Sequence, residues 1–81
     1  MKLIDYLRPF DRSARDAFAA RCGTTLGHMT NVAYGYKTCA PELAVSIEQE
    51  SGRAVTRPEL RPDDWQRIWP ELIGTAAPVA A

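Results

Sequence analysis

The sequence predicts an all-α protein, a compact bundle of about five short helices, and three observations predict it. No useful length of chain alternates apolar and polar residues with period two, whereas apolar residues recur at helical spacing along most of it. Capping signals, prolines and glycines punctuate that pattern at short intervals. The third observation is size. At 81 residues, 46% hydrophobic and 25% charged, the composition is that of one small globular domain. A second domain or a large substrate cleft is excluded, because a core this small cannot support either.

The elements follow in order. Residues 2–8 place Leu3, Ile4 and Leu7 at helical spacing, and Pro9 forbids ordinary propagation. Ser13-Ala14-Arg15-Asp16 has the S-x-x-D form of a capping box, so a second helix is expected after Ser13. Its apolar face is Ala14, Phe18 and Cys22, with Ala19 beside them, and Gly23 ends it. Thr25 is the expected N-cap of a third helix running to about Tyr34, with Leu26, Met29, Val32 and Ala33 as apolar positions and Gly35 as its stop. The fourth helix is the best delimited. Pro41 suits its first position, Glu42 complements the dipole and Gly52 lies past its end. Leu43, Ala44 and Ile47 form its buried face, while Glu48, Gln49 and Glu50 are expected to face water.

Thr56-Arg57-Pro58-Glu59 is a second capping box, sufficient for one turn. Pro62, Asp63 and Asp64 then open a short helix that carries Trp65, Ile68 and Trp69 and closes at Pro70. The two tryptophans, four apart, are expected to lock this turn over the bundle. The domain is expected to span residues 1–73, with residues 74–81, which lack periodicity, as a flexible tail.

Ten Lys and Arg balance ten Asp and Glu, which excludes a polybasic tail or a uniformly cationic coat. Any surface for nucleic acid has to be local. From Ala17 to Pro41 no acidic residue occurs, Arg21 and Lys37 lie within that run, and Arg12 and Arg15 lie just before it. The acids gather in residues 42–50 and 59–71. Asp5 and Arg8 interrupt the first apolar run too early for a signal-peptide core, and no stretch approaches the roughly 18 apolar residues of a membrane span. Two cysteines are too few for a disulfide scaffold, so the reducing cytoplasm is the expected compartment and no membrane partner is expected.

Catalytic and metal chemistry find little to work with. Cys22, Cys39 and His28 form no CxxC or HxxxH pair, so no metal or cofactor is expected. No Ser or Cys has a credible base and no glycine-rich phosphate loop is present, so the protein is not expected to be an enzyme.

The informative segment is residues 13–35: helix, tight glycine turn, helix. That is a helix-turn-helix pattern, whose second helix can enter a DNA major groove. Ala19 stands four residues before Gly23, where a small side chain permits close helix approach, and Met29 and Val32 stand six and nine residues after it, where the second helix must pack on the first. Around the same turn, residues 17–37 resemble the helix-turn-helix of Cro/CI-type phage repressors. Beyond it Ile47-Glu48-Gln49, Ser51-Gly52, Ala54-Val55-Thr56, Leu60-Arg61-Pro62-Asp63-Asp64-Trp65 and Ile68-Trp69-Pro70-Glu71-Leu72 resemble YdaS-like antitoxins and Cro-like regulators. The resemblance covers all but the last nine residues. Departures fall at Thr24 and Leu26 in the turn and at Gly27 inside the second helix.

The resemblance implies a lambda-repressor-like fold and a sequence-specific regulator, a repressor that occludes a promoter or an antitoxin paired with a toxin. It places Thr25, Leu26, Gly27, Thr30, Asn31 and Tyr34 towards the groove. Asn31 suits adenine, Thr30 several base edges and Leu26 a thymine methyl, while Gly27 allows close backbone approach. Arg15, Arg21, Thr25, Tyr36 and Lys37 are the candidate phosphate contacts. One such motif reads only a few base pairs, so a palindromic operator and a weak homodimer completed on DNA are expected. Val45, Val55, Ile73 and one face of Trp69 are the candidate interface residues. The neutral charge and weakly polar reading helix favour an alternative, a protein-binding module that holds a toxin or another regulator.

Overall fold

A computed structural model of the protein describes residues 1–76. Among them the chain forms seven short helices and no strand: α1 (Leu3–Leu7), α2 (Arg12–Arg21), α3 (Leu26–Ala33), α4 (Pro41–Glu50), α5 (Arg57–Leu60), α6 (Trp65–Ile68) and α7 (Glu71–Ala76). The fold is all-α. The residues with recurrent apolar spacing are those that close the core: Leu3 and Leu7 of α1, Phe18 and Ala19 of α2, Met29 of α3, and Leu43, Ala44 and Ile47 of α4. Helix α2 packs on both α3 and α4, α1 packs on α3, and α5 joins α4 to α6. Ala19 is fully buried, as is Met29, so the small residue ahead of the turn and the long one after it meet where the two helices approach. Tyr6 sets its ring 5.1 Å from Phe10 and 5.3 Å from Phe18, tying α1 to α2 through aromatic edges.

Several boundaries differ from the sequence expectation, each for a local reason. Helix α2 starts at Arg12, with Asp11 as N-cap: its Oδ1 accepts from the Ala14 amide at 2.8 Å. An ionised carboxylate at the positive end of the helix outcompetes the Ser13 hydroxyl expected there. Ala14 is consequently exposed rather than part of the apolar face. Pro70 ends α6 and also opens α7, which the sequence reading lacked; the Leu72 and Ile73 amides donate to the Trp69 and Pro70 carbonyls. Residues 74–76, expected in the tail, complete α7, and the remaining tail residues 77–81 lie outside the described residues.

Glu48 does not face water. Its carboxylate is drawn in by Arg57, whose guanidinium also lies over the Trp69 ring, 5.3 Å from its centroid. Val55 and Trp69 belong to the core, Val55 with no exposure at all, so neither is free for the dimer contact expected of them; Val45 is half-buried and Ile73 exposed. The Ser51 hydroxyl accepts from the Val55 amide at 3.1 Å, which pins the apolar loop residue under the end of α4. Cys39, also in a loop, is a core residue too. Trp69 does close the carboxy-terminal turns over the bundle, as its spacing from Trp65 suggests. No helix of the described residues is long and apolar enough to cross a membrane.

Candidate nucleic-acid interface

The turn between α2 and α3 is built from its hydrogen bonds. At the end of α2 the Cys22, Gly23 and Thr24 amides donate to the carbonyls of Phe18, Ala20 and Ala19. Gly23 reverses the chain with φ of +80°, a region a side chain enters at a cost of about 1–2 kcal/mol. Thr25 then leaves in an extended conformation and caps α3, its Oγ1 accepting from the His28 amide at 3.1 Å. The Thr25 oxygen is engaged, and its proton is free to donate.

Met29 fixes which side of α3 faces inward. On the other side Gly27, Asn31 and Tyr34, separated by four and three residues, are exposed in a single stripe. Leu26 and Thr30 flank that stripe and are half-buried. The Thr30 hydroxyl donates to the Leu26 carbonyl at 2.7 Å, so its oxygen remains only as an acceptor. The two threonines therefore offer opposite chemistry: Thr25 a donor suited to phosphate, Thr30 an acceptor suited to an exocyclic base amine. A side chain at Gly27 would meet nothing within 4 Å, so packing does not demand glycine there.

Beyond the last turn of α3 the chain stays close to the stripe. The Asn31 carbonyl accepts from the Tyr36 amide at 2.8 Å and the Lys37 amide at 3.2 Å. Tyr34 and Tyr36 stack, with centroids 6.2 Å apart and planes 24° from parallel, although both rings are largely exposed. Lys37 is exposed and forms no ion pair among the described residues.

The two candidate arginines are held differently. Arg15 donates from Nε to the Leu7 carbonyl at 3.0 Å and from Nη2 to the Arg8 carbonyl at 3.2 Å, capping the end of α1. Carbonyls orient that guanidinium without cancelling its charge. Arg21 instead meets Glu50, Nε to Oε1 at 3.3 Å, and lies over the Phe18 ring. The stretch from Ala17 to Pro41 is free of acids in sequence but not in space, since packing α2 on α4 brings Glu50 alongside. Sequence reasoning missed that neighbour because the two residues are 29 positions apart.

Cys22 and Cys39 are buried free thiols, and burial pushes each up to about 11. At neutral pH both are held protonated, which suits packing rather than nucleophilic attack or metal ligation. The structure thus exposes Thr25, Gly27, Asn31 and Tyr34 along α3 and Tyr36 and Lys37 just beyond it, sets Leu26 and Thr30 at the edge, and places Arg21 in an exposed pair with Glu50. No protein-family model matches the chain, and no curated protein matches it.

Proposed function

We propose that the protein is a sequence-specific, double-stranded DNA-binding transcriptional regulator, with α2 and α3 as a lambda-repressor-like helix-turn-helix and α3 as the reading helix. The observation that carries this reading is the exposed stripe Gly27–Asn31–Tyr34, which has Met29 buried behind it and no acidic residue on its helix. The Asn31 amide can accept from the N6 amine and donate to the N7 that adenine presents together in the major groove. Thr30 accepts from a base amine, and Gly27 leaves the α3 backbone uncovered where it would approach the groove floor. Thr25, Lys37 and the Tyr36 hydroxyl hold phosphates on either side. A second copy on an adjacent half-site, one helical turn along a palindromic operator, supplies the remaining specificity. Repression by promoter occlusion needs no cofactor and fits the cytoplasmic setting expected from the sequence.

The test is a fluorescence-anisotropy titration against operator sequences selected from a random duplex pool, repeated at several salt concentrations. Asn31→Ala should cost about 1–3 kcal/mol at the selected site and leave binding to unrelated duplex unchanged. Lys37→Ala should weaken all duplexes alike and lower the salt slope by about one. Failure to select any sequence would overturn the reading.

The exposed Tyr34–Tyr36 pair favours one second reading, a protein-binding surface that holds a toxin or another regulator, because tyrosine is enriched where proteins meet. Under it Tyr36→Ala abolishes partner capture, while no duplex competes.

A further inference from the structure

A pocket of about 170 Å³ opens between α1 and α3, beside the stripe described above. By volume it has room for about five or six waters' worth of liquid, enough for a phosphate group and part of an attached sugar. Its floor is apolar, from Ile4, Leu7 and Ala33, and its polar wall is Arg8, Arg15, Thr30 and Tyr34. Two arginines and no acidic residue are among the residues that line it.

Each polar group has a defined capacity. Arg15 spends two of its N–H groups on the Leu7 and Arg8 carbonyls, which leaves the rest of its fork uncommitted and its charge uncancelled. Arg8 meets Asp5 through Nη1 at 3.0 Å, an exposed pair that leaves Nη2 free. Such a pair is weakly held and yields readily to a doubly charged oxyanion. The Thr30 proton is committed to Leu26, which leaves Tyr34, also among the lining residues, to supply a third donor.

The larger groove of the molecule, about 380 Å³ between the start of α1 and the α5–α6 segment, makes a useful contrast. Its arginine, Arg61, is closed by a two-point bond to Asp64, and Glu59 and Asp63 share its wall. Lys2 and Lys37 line it as well, so its three cations are matched by three carboxylates and it carries no net charge to draw an anion.

We propose that the α1–α3 pocket is a phosphate site, with Arg8 and Arg15 as its clamp and Tyr34 as its third donor. The phosphate belongs either to a duplex backbone or to a free phosphate ester. The first case rests on the DNA-binding reading above and extends that interface onto α1. Since Tyr34 serves both the pocket and the α3 stripe, a free ester in the pocket competes with duplex.

Two exposed substitutions test the proposal in opposite directions. Arg8→Gln removes half of the clamp, and Asp5→Asn removes the carboxylate that competes with the anion. The unmodified protein and both variants are titrated by two-dimensional NMR with inorganic phosphate, replacing chloride at constant ionic strength, while the Arg15 Nε–H and the Thr30 and Tyr34 amides are followed. Each is also titrated with a mixed-sequence duplex across a salt series. The expected result is a saturable phosphate response at those groups, several-fold weaker in Arg8→Gln and tighter in Asp5→Asn. If duplex binds, its salt slope should also fall by about one in Arg8→Gln. Misfolding cannot produce effects of opposite sign.

A saturable phosphate response without any duplex binding would uphold the pocket, assign it to a free ester and overturn the DNA reading. Duplex binding whose slope falls in Arg8→Gln, without a free-phosphate response, would uphold it as a backbone site. Duplex binding with an unchanged slope and no phosphate response would overturn the pocket while the DNA reading stands. If neither ligand binds, both fall.

Discussion

Arg57 Nε lies 2.9 Å from Glu48 Oε1, and both side chains are more than four-fifths buried. The approach is close, yet the Nε–H finds no aligned acceptor, so the contact is an attraction of charges rather than a directed bond. The directed bond is made nearby, where the Arg57 backbone amide donates to Glu48 Oε2 at 3.2 Å. Glu48 thereby holds the start of α5 as well as its side chain, and the guanidinium in turn covers Trp69.

Removing one partner should therefore hurt more than removing both. Glu48→Gln or Arg57→Met alone should cost about 2–3 kcal/mol by leaving a buried group unmatched. The double variant should recover part of that loss. Urea unfolding of the four proteins closes the cycle, and strictly additive losses would show that the pair is not coupled.

Two glycines separated by one turn of sequence should respond oppositely to alanine. Gly23→Ala forces a side chain into a left-handed backbone and should destabilise by about 1–2 kcal/mol. Gly27→Ala meets open space within a helix and should stabilise by up to about 1 kcal/mol. On the proposed reading the more stable Gly27→Ala protein binds its operator less well, because the new methyl group stands between backbone and groove. Thermal melts with anisotropy titrations on the same samples separate the two effects.

Thr25 and Asn31 divide along the same line between fold and contact. Thr25→Ala removes the α3 cap and should cost about 1 kcal/mol of stability. Thr25→Ser, which keeps the oxygen, should restore most of it. The exposed Asn31 side chain can be cut to alanine with a stability change near zero, so any lost affinity in that variant is lost recognition.

Acid should be felt at the α5–α6 corner. The Arg61 guanidinium grips both oxygens of Asp64 and holds that carboxyl below the usual aspartate range. The depressed value means that the bond's stabilisation is complete above the unfolded aspartate pKa near about 3.9 and is lost as pH falls below it. Asp64→Asn should flatten the decline of stability on that acid limb while leaving the neutral-to-alkaline limb unchanged. At the other extreme, burial keeps both thiols protonated, so Cys22 and Cys39 should resist alkylation at pH 8 (about the ordinary working limit) until the protein is unfolded.

Local rules carried the sequence reading as far as local rules reach. The Thr25 cap, proline-led α4 and the Thr56–Glu59 box all depend on residues within one turn of each other, and all are present. Periodicity found Phe18, Met29 and Ile47 for the same reason. It could not find Cys39 or Val55, since both lie in loops where burial has no period. Nor could it foresee that Glu48 turns inward or that Arg21 meets Glu50, because those partners are chosen by the packing of one helix on another. In the candidate site the outward stripe of α3 was legible from its spacing. The pocket beside it was not, since Arg8 stands at the end of a different helix and carries no motif.

The Asn31 carbonyl, bonded to two successive amides of the following loop, has a mechanical consequence. On the proposed reading, the residue that reads a base and the lysine that grips the strand share one backbone anchor, so the spacing of their main chains is a gauge of set width. A duplex whose groove is wider or narrower than that gauge must itself deform to satisfy both. On the proposed DNA-binding reading, the same bond that ends a helix makes recognition depend on DNA shape as well as on bases.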